Sequence, residues 1–181
     1  EKAYHLEERM KFYQVPGISI TVIKDFKVLW TKYYGFADQE LKTKVNQETL
    51  FNVGSLSKGM ASLTMLSLVQ KGKLHLDDDV NDHLKSWMIP KNEWSGEKKI
   101  TPLLLMNHSS GAMHHFAVNY TRNNLPNITQ LLNGESPARE RPTIIDHEPG
   151  IEFLYSNPGF AILQQVAEDI CNEPFYLLAQ N

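Results

Sequence analysis

Cysteine is nearly absent from this sequence, since Cys171 is the one cysteine among 181 residues. A single cysteine excludes an internal disulfide and any metal site built from several cysteines. No apolar run approaches the roughly 20 residues that a membrane-spanning helix needs, so no transmembrane segment is predicted. Basic blocks are also missing and the net charge is −3. The composition therefore argues against a nucleic-acid partner.

The order of the periodic segments predicts a fold that contains both strands and helices. The β-branched segments 18–23 and 28–34, joined by a turn at 24–27, predict a β-hairpin. Apolar residues at helical spacing predict a long helix over 55–70, which ends at the glycine that follows Lys71. We expect an α/β arrangement in which this long helix is central and mostly buried.

The remaining segments divide into shorter helices and loops. Thr101 followed by Pro102 has the pattern of an N-cap and a first helical position. Helices are predicted at 1–13, 74–80, 100–107 and 158–179, the last interrupted near 172–174, and irregular chain at 35–50, 88–99 and 108–150. At this length the prior favours one domain.

Ser55 and Lys58 form the first candidate site. Both lie at the start of the predicted long helix, three residues apart, so their side chains share a face. A serine hydroxyl beside an amine can lose its proton to that amine and act as a nucleophile. The N–H groups of a first helical turn lack intrahelical partners and favour an oxyanion. An ordinary capped helix with a solvated lysine explains the same pattern.

A second Ser-x-x-Lys occurs at Ser95 and Lys98. It lies in a polar stretch that contains Pro90 and Gly96 and has no apolar period, so it is interpreted as loop. The contrast in context, rather than the pattern itself, makes Ser55 the candidate nucleophile.

Tyr155 and Asn157 form the second candidate site, within a Tyr-x-Asn sequence. A lysine ammonium near a tyrosine stabilises the phenolate, which lets the tyrosine move a proton. An asparagine side chain offers a carbonyl to a lysine and an NH2 group to a substrate. The structural alternative is that Tyr155 packs in the core and Asn157 caps the helix that begins at Pro158.

Taken together, these motifs carry a resemblance to a known family. They follow one another in a fixed order: Pro16-Gly17-Ile18, residues 51–58, residues 72–78, residues 104–111, Pro149-Gly150 and residues 155–157. In this order they resemble the serine β-lactamase-related family, which holds class C β-lactamases, D-alanyl-D-alanine carboxypeptidases and related esterases. The similarity extends over nearly the whole chain, from about residue 12 to 179.

The resemblance implies a serine hydrolase that forms an acyl-enzyme with an amide, ester or β-lactam substrate, either a small molecule or a peptide. Ser55 matches the nucleophile, Lys58 the amine that activates it, and Tyr155 the tyrosine that moves protons. Asn157 matches the residue that orients the lysine and the substrate. Either Lys58 or Tyr155 is the general base. No cofactor is implied, and the family favours a periplasmic or extracellular location.

One family motif is missing from the sequence. The family carries a Lys-Thr-Gly or His-x-Gly downstream of the tyrosine, and residues 156–181 contain neither. The resemblance therefore implies that residues 1–181 are the N-terminal portion of one β-lactamase-like catalytic domain, with an incomplete antiparallel sheet. We expect the open sheet edge to associate with another strand, from a C-terminal fragment or from another chain.

Two other functions remain open from the sequence. A catalytically inactive relative that binds peptides or cell-wall fragments fits the missing motif. A metal hydrolase built on His108, His114 and His115 is the other alternative, but the chain has no His-Glu-x-x-His and no matching carboxylate spacing. We interpret His108 instead as a loop histidine that bonds to the backbone, and expect no metal.

Overall fold

The computed structural model describes residues 3–113, 120–121 and 123–180. The chain forms two compact units, Glu1–Val53 and Gly54–Asn181. The predicted hairpin lies in the first unit, and all four candidate site residues lie in the second.

The first unit consists of a short helix and a small antiparallel sheet. Its elements are helix α1 (Leu6–Phe12) and strands β1 (Gly17–Lys24), β2 (Lys27–Asp38) and β3 (Thr43–Lys44). The hairpin of β1 and β2 is confirmed, with Ser19 opposite Tyr33. Asp25 and Phe26 form its turn at positive φ, the backbone that matches the twist of a two-residue hairpin.

Strand β3 pairs with the far end of β2, and the sheet order is β1-β2-β3. The sequence did not predict β3, because two residues are too few for an alternating pattern to register. Within the described part of the chain, β1 pairs with β2 along one side and with no strand along the other. Whether another strand pairs with this edge stays a prediction.

The second unit is mostly helical. Its elements are a 3-10 turn (Gly54–Leu56), α2 (Ser57–Gln70), a second 3-10 turn (Val80–Asp82), α3 (Pro102–Met106), β4 (Ala112–Met113), α4 (Ile128–Asn133), β5 (Ile144–Ile145), α5 (Asn157–Cys171) and α6 (Phe175–Leu178). Helix α5 is the centre of this unit, because α2, α3, α4, α6 and β4 all contact it. Its buried side chains include Ile162, Leu163 and Val166.

The prediction that the 55–70 helix is mostly buried is wrong, and α5 is the buried helix instead. In α2 only Thr64, Met65 and Leu68 are buried. Three of its apolar side chains are instead well exposed: Met60 58%, Leu63 59% and Leu66 42%. The apolar residues of α2 extend around more than one face, and α5 covers one of them.

Several helix ends match the sequence patterns that predicted them. The Thr101 side chain accepts a hydrogen bond from the N–H of Leu104, and Pro102 is the first residue of α3. Gly72, just after α2, has φ 66°, a backbone that glycine adopts without strain. The break near 172–174 separates α5 from α6.

The prediction of a helix over 74–80 is wrong in detail. The helical turn there starts later, at Val80, and Asp79 caps it by accepting from the N–H of Asn81. Asp78 accepts from the N–H of His75 and pairs with the His83 ring. The acidic residues therefore fix the turn before the helix, as short acidic side chains commonly do, rather than occupying its first turn.

Candidate active site

Ser55 and Lys58 meet at the start of α2. Gly54 has φ 51°, a conformation that side chains rarely adopt, and it is the first residue of the 3-10 turn that carries Ser55. Lys58 lies one turn later, and its Nζ donates to Ser55 Oγ at 3.2 Å. Ser55 is exposed and Lys58 is half-buried, so the hydroxyl is open to a substrate while the amine is partly sheltered.

Tyr155 reaches the same serine from 100 positions away in sequence. Its hydroxyl donates to Ser55 Oγ at 2.8 Å. Lys58 Nζ lies 4.9 Å from the centroid of the Tyr155 ring and 5.6 Å from that of Phe160, which is cation–π distance. Three of the four predicted site residues therefore converge on one point, the hydroxyl of Ser55.

The surroundings of Tyr155 favour its ionised form. Hydrogen bonding with Lys58 and with Ser55 lowers the pKa of the Tyr155 phenol from its ordinary value of 10.0, against a smaller opposing effect of burial. A tyrosine with a lowered pKa exchanges its proton more readily near neutral pH. The arrangement can therefore carry a proton between the serine, the lysine and the tyrosine.

Asn157 lies apart from this hydrogen-bonded group. It is the first residue of α5, but the cap is Ser156, whose hydroxyl accepts from the N–H of Gly159, so the alternative of Asn157 as the cap is wrong. Among the described contacts, no hydrogen bond joins Asn157 to Lys58. Both residues line an open pocket of about 310 Å³.

That pocket includes Lys58 but neither Ser55 nor Tyr155 among its lining residues, and its wall is largely apolar. Its apolar lining comes from α2, α4, α5 and α6: Ala61, Ile128, Leu131, Phe160, Ala161 and Phe175. Ser57, Lys58, Asn157 and Gln164 supply its polar lining. Room for an apolar group thus adjoins the amine that bonds the candidate nucleophile.

The residues that hold Tyr155 were not predicted as site residues. The N–H of Ser156 donates to His108 Nδ1 at 3.0 Å, and the N–H of Leu154 donates to the His108 carbonyl at 2.8 Å. The Ser156 hydroxyl, which is buried, also donates to the carbonyl of Ala112. The sequence indicated that His108 bonds to the backbone, but no local pattern identifies a partner 48 positions away.

The second Ser-x-x-Lys has a different geometry. Ser95 Oγ donates to the carbonyl of Pro90 at 2.7 Å, and it accepts from the N–H of Asn92. Lys98 forms an ion pair with Glu148. Each residue makes a structural contact, and the segment forms a turn rather than a helix, which confirms its interpretation as loop.

The described residues contain no cluster of three or more His, Cys, Asp or Glu side chains that would suit a metal ion. His114 and His115, which the metal alternative requires, lie outside the described residues. Across the same ranges, no helix combines the length and the apolar character needed to cross a membrane.

Comparison with known proteins places this geometry in context. The family model described as Beta-lactamase matches residues 4–176. Protein flp of Staphylococcus aureus (strain N315) is 29% identical over 175 residues, which are 94% of this chain and 33% of that protein. The human mitochondrial serine beta-lactamase-like protein LACTB is 35% identical over 101 residues, 55% of this chain and 18% of that protein. The chain thus spans about a third or less of these relatives.

Solved structures share the fold. The octameric penicillin-binding protein homologue from Pyrococcus abyssi has a TM-score of 0.74 at 26% identity, covering 97% of this chain and 40% of that one. EstCE1, a hydrolase with promiscuous acyltransferase activity, has a TM-score of 0.76 at 22% identity, covering 96% and 47%. The expected mixture of helices and antiparallel sheet is confirmed by these similarities.

Proposed function

Because the chain belongs to the beta-lactamase family, we propose that it carries the nucleophile of a serine hydrolase that forms an acyl-enzyme with an amide, ester or β-lactam. One observation supports this most: the Ser55 hydroxyl lies within hydrogen-bond distance of Lys58 Nζ and of Tyr155 Oη, although Tyr155 is 100 positions away. An ordinary capped helix with a solvated lysine would not require a tyrosine from another element to contact Ser55 Oγ.

The chemistry follows from these contacts. Ser55 Oγ attacks the substrate carbonyl carbon, and its proton passes to the neutral amine of Lys58 or to the phenolate of Tyr155. The backbone N–H of Ser55 stabilises the oxyanion. When the carbon–nitrogen or carbon–oxygen bond breaks, the leaving group takes that proton. Water then attacks the ester, gives one proton back to Ser55 and releases the acid.

The position of Tyr155 suits both directions of proton transfer. Its hydroxyl contacts the nucleophile directly, and its lowered pKa brings the phenolate closer to neutral pH. Lys58 contacts the nucleophile at a longer distance. If Tyr155 is the base, the ammonium of Lys58 stabilises its phenolate; if Lys58 is the base, its amine must be neutral before the serine proton arrives. Asn157 and the apolar pocket would contact the acyl part of the substrate, so we propose a substrate whose acyl group carries an apolar substituent.

The alternative is an inactive relative that binds peptides or cell-wall fragments without acylation. The two functions differ in one measurable product, the covalent adduct. Incubation of the purified full-length protein with a β-lactam or an activated phosphonate ester, followed by intact-mass measurement, should give a mass increase of one acyl or phosphonyl group.

Matched variants locate the adduct. Ser55→Ala should abolish it, while Ser95→Ala, in the second Ser-x-x-Lys, should leave it unchanged. An adduct that persists in Ser55→Ala, or disappears in Ser95→Ala, would overturn the assignment. A wild-type protein that binds these ligands without any mass increase would favour the inactive relative.

A further inference from the structure

His108 holds the backbone on both sides of Tyr155. Its carbonyl accepts from the N–H of Leu154 at 2.8 Å, and its Nδ1 accepts from the N–H of Ser156 at 3.0 Å. Leu154 and Ser156 are the two sequence neighbours of the tyrosine. A single histidine therefore holds the segment 154–156, from which the Tyr155 side chain projects, by two hydrogen bonds.

The His108 ring also contacts the Tyr155 ring directly. Their centroids lie 4.5 Å apart with the planes tilted by 35°, which is stacking distance. His108 further contacts Phe160 at 5.4 Å, and Tyr155 and Phe160 both lie within cation–π distance of Lys58. Movement of His108 would therefore disturb the phenol and the surroundings of the amine together.

His108 adopts a backbone conformation that few residues other than glycine occupy, with φ 63°. Histidine and asparagine tolerate the left-handed region better than most side chains, but it still costs conformational energy. The hydrogen bond from Leu154 to the carbonyl of His108 stabilises this conformation. The residue with the strained backbone, His108, is thus the same residue whose contacts hold Tyr155.

We infer that His108 is a positioning residue that holds Tyr155 against Ser55, and that protonation of its ring disrupts this arrangement in acid. The inference rests on the proposed function for its kinetic consequence, because Tyr155 is assigned there to proton transfer. This role for His108 gives the site a further residue and a further pH dependence. Neither follows from Ser55, Lys58 and Tyr155 alone.

The hydrogen bond from the N–H of Ser156 decides which protonation state of His108 can hold Tyr155 in place. A backbone N–H can only donate, so His108 Nδ1 must be the unprotonated nitrogen and the ring must be the neutral Nε2–H tautomer. A second proton would place an N–H against the N–H of Ser156. It would also add a positive charge near Lys58.

The surroundings keep the ring neutral near pH 7. Burial and the charge of Lys58 lower the pKa of His108 from its ordinary value of 6.5. The ionisable groups with which His108 interacts in the described structure are Lys58 on α2 and Tyr155 before α5. Because the pKa is lowered, the competent neutral form persists to below pH 6.5 and is lost as the pH falls through that lowered pKa.

His108→Asn is the informative variant. The asparagine carbonyl can accept from the N–H of Ser156, tolerates positive φ and does not titrate. We expect it to keep acylation near neutral pH and to lose the part of the acid limb that follows protonation of His108 below pH 6.5, while the part set by the general base, Lys58 or Tyr155, remains in both proteins. His108→Ala removes the ring and the acceptor and should slow acylation by about 10²-fold near neutral pH, where the wild-type ring is neutral, because a misplaced catalytic group can cost that much.

The measurement is the rate of β-lactam acylation of the purified full-length protein between about pH 4.5 and 8, with circular dichroism of each variant as the folding control. A His108→Asn profile with the same acid limb as the wild type, or a folded His108→Ala that acylates at the wild-type rate, would overturn the inference.

A second readout does not depend on activity. Imidazole-selective 15N NMR should find His108 as the Nε2–H tautomer and still neutral at pH 6.5. An Nδ1–H tautomer, or titration at or above 6.5, contradicts the inference even if no substrate acylates Ser55. Absence of acylation in the wild type with the Nε2–H tautomer present would instead count against the proposed function alone.

Discussion

Removal of Lys58 should slow the proposed chemistry while leaving the nucleophile in place. Its amine lies 3.2 Å from Ser55 Oγ, so Lys58→Ala deletes either the proton acceptor itself or the charge that stabilises the Tyr155 phenolate. We expect acylation to slow by on the order of 10²–10⁴, the usual contribution of a positioned acid–base group. Stopped-flow measurement of the acylation burst with a chromogenic β-lactam or ester gives the rate.

The second Ser-x-x-Lys supplies the control for this change. Lys98→Ala removes a lysine of the same spacing, but one that pairs with Glu148 rather than with a serine. Its acylation rate should match that of the wild type. A Lys58→Ala protein that acylates as fast as Lys98→Ala would show that the amine has no catalytic part.

Tyr155 should titrate below the ordinary tyrosine value of 10.0, because Lys58 and Ser55 favour the phenolate. Lys58→Met removes the charge and the donor while keeping an apolar chain beside the ring. The pKa of Tyr155 should therefore rise in Lys58→Met, and the phenolate should form at higher pH. Titration of 13Cζ-labelled tyrosine by NMR measures it, with Tyr155→Phe to assign the resonance; an unchanged midpoint in Lys58→Met contradicts the coupling.

At the scale of elements, Asp169 ties the buried helix α5 to the loop at 85–86. Its carboxylate accepts from the N–H of Lys85, from the N–H and hydroxyl of Ser86, and from Gln165. Burial raises the pKa of Asp169, but these hydrogen bonds outweigh it and hold the pKa below the ordinary 3.8. The folded state therefore prefers the carboxylate more than the unfolded state does.

Asp169→Asn replaces an acceptor with an NH2 group that faces backbone donors, and should lower the free energy of unfolding by about 1–3 kcal/mol near neutral pH. Because the folded pKa is lowered, the carboxylate stabilises the protein above the unfolded pKa, and this contribution disappears as the pH falls through the folded value. The difference in the free energy of unfolding between Asp169→Asn and the wild type should thus shrink below about pH 3.8.

Urea unfolding at several pH values measures this difference. Asp77→Asn is the matched control, because Asp77 is exposed and should change stability by less than about 0.5 kcal/mol, as surface substitutions usually do. A difference for Asp169→Asn that stays constant down to pH 2, or that grows there, would contradict the assigned direction.

Elements whose signals are local were predictable, and those held by distant contacts were not. Thr101 and Pro102 indicated the start of α3, and Gly72 the end of α2. Asn127 and Gln130 form a capping box at α4, a readable signal that was missed in a segment interpreted as irregular. Strands β4 and β5 have two residues each and pair across more than 30 positions, so no sequence period marks them.

The residues of the candidate site likewise divide into those with a local sequence signal and those placed by distant contacts. The pairing of Ser55 with Lys58 follows from spacing on one helix, and its convergence with Tyr155 came from the family resemblance rather than from any local pattern. His108 could not be assigned to Tyr155, because a histidine in a Ser-Gly turn has many backbone donors to choose from. Periodicity identifies the apolar faces of α2 and α5 but does not show which face packs against other elements. It therefore could not predict that α5 is the more buried of the two helices.

At the scale of the whole molecule, the exposed apolar side chains of α2 predict association. Met60, Leu63 and Leu66 leave an apolar surface on one helix, and β1 has one unpaired edge in the described sheet; both features favour contact with other chains. We expect the 181-residue chain by itself to elute above its monomer mass in size-exclusion chromatography with light scattering.

The variant Leu63→Gln/Leu66→Gln should shift that elution toward the monomer, because it removes the apolar surface without touching the buried face of α2. Phe12→Gln, which removes an exposed aromatic from α1, is the control for a general gain in solubility. A monodisperse monomer of the unmodified chain at high concentration would contradict the prediction.

The separation of Ser55 from Tyr155 also has a consequence during biosynthesis. A ribosome delivers the nucleophile and its lysine within one helical turn, but the tyrosine leaves the tunnel 100 residues later, roughly 5–20 seconds later at ordinary elongation rates. A nascent chain thus exposes a serine that lacks its tyrosine partner. Reactivity of Ser55 toward an acylating compound would then report tertiary folding: in refolding from urea, labelling should lag behind the far-ultraviolet helical signal.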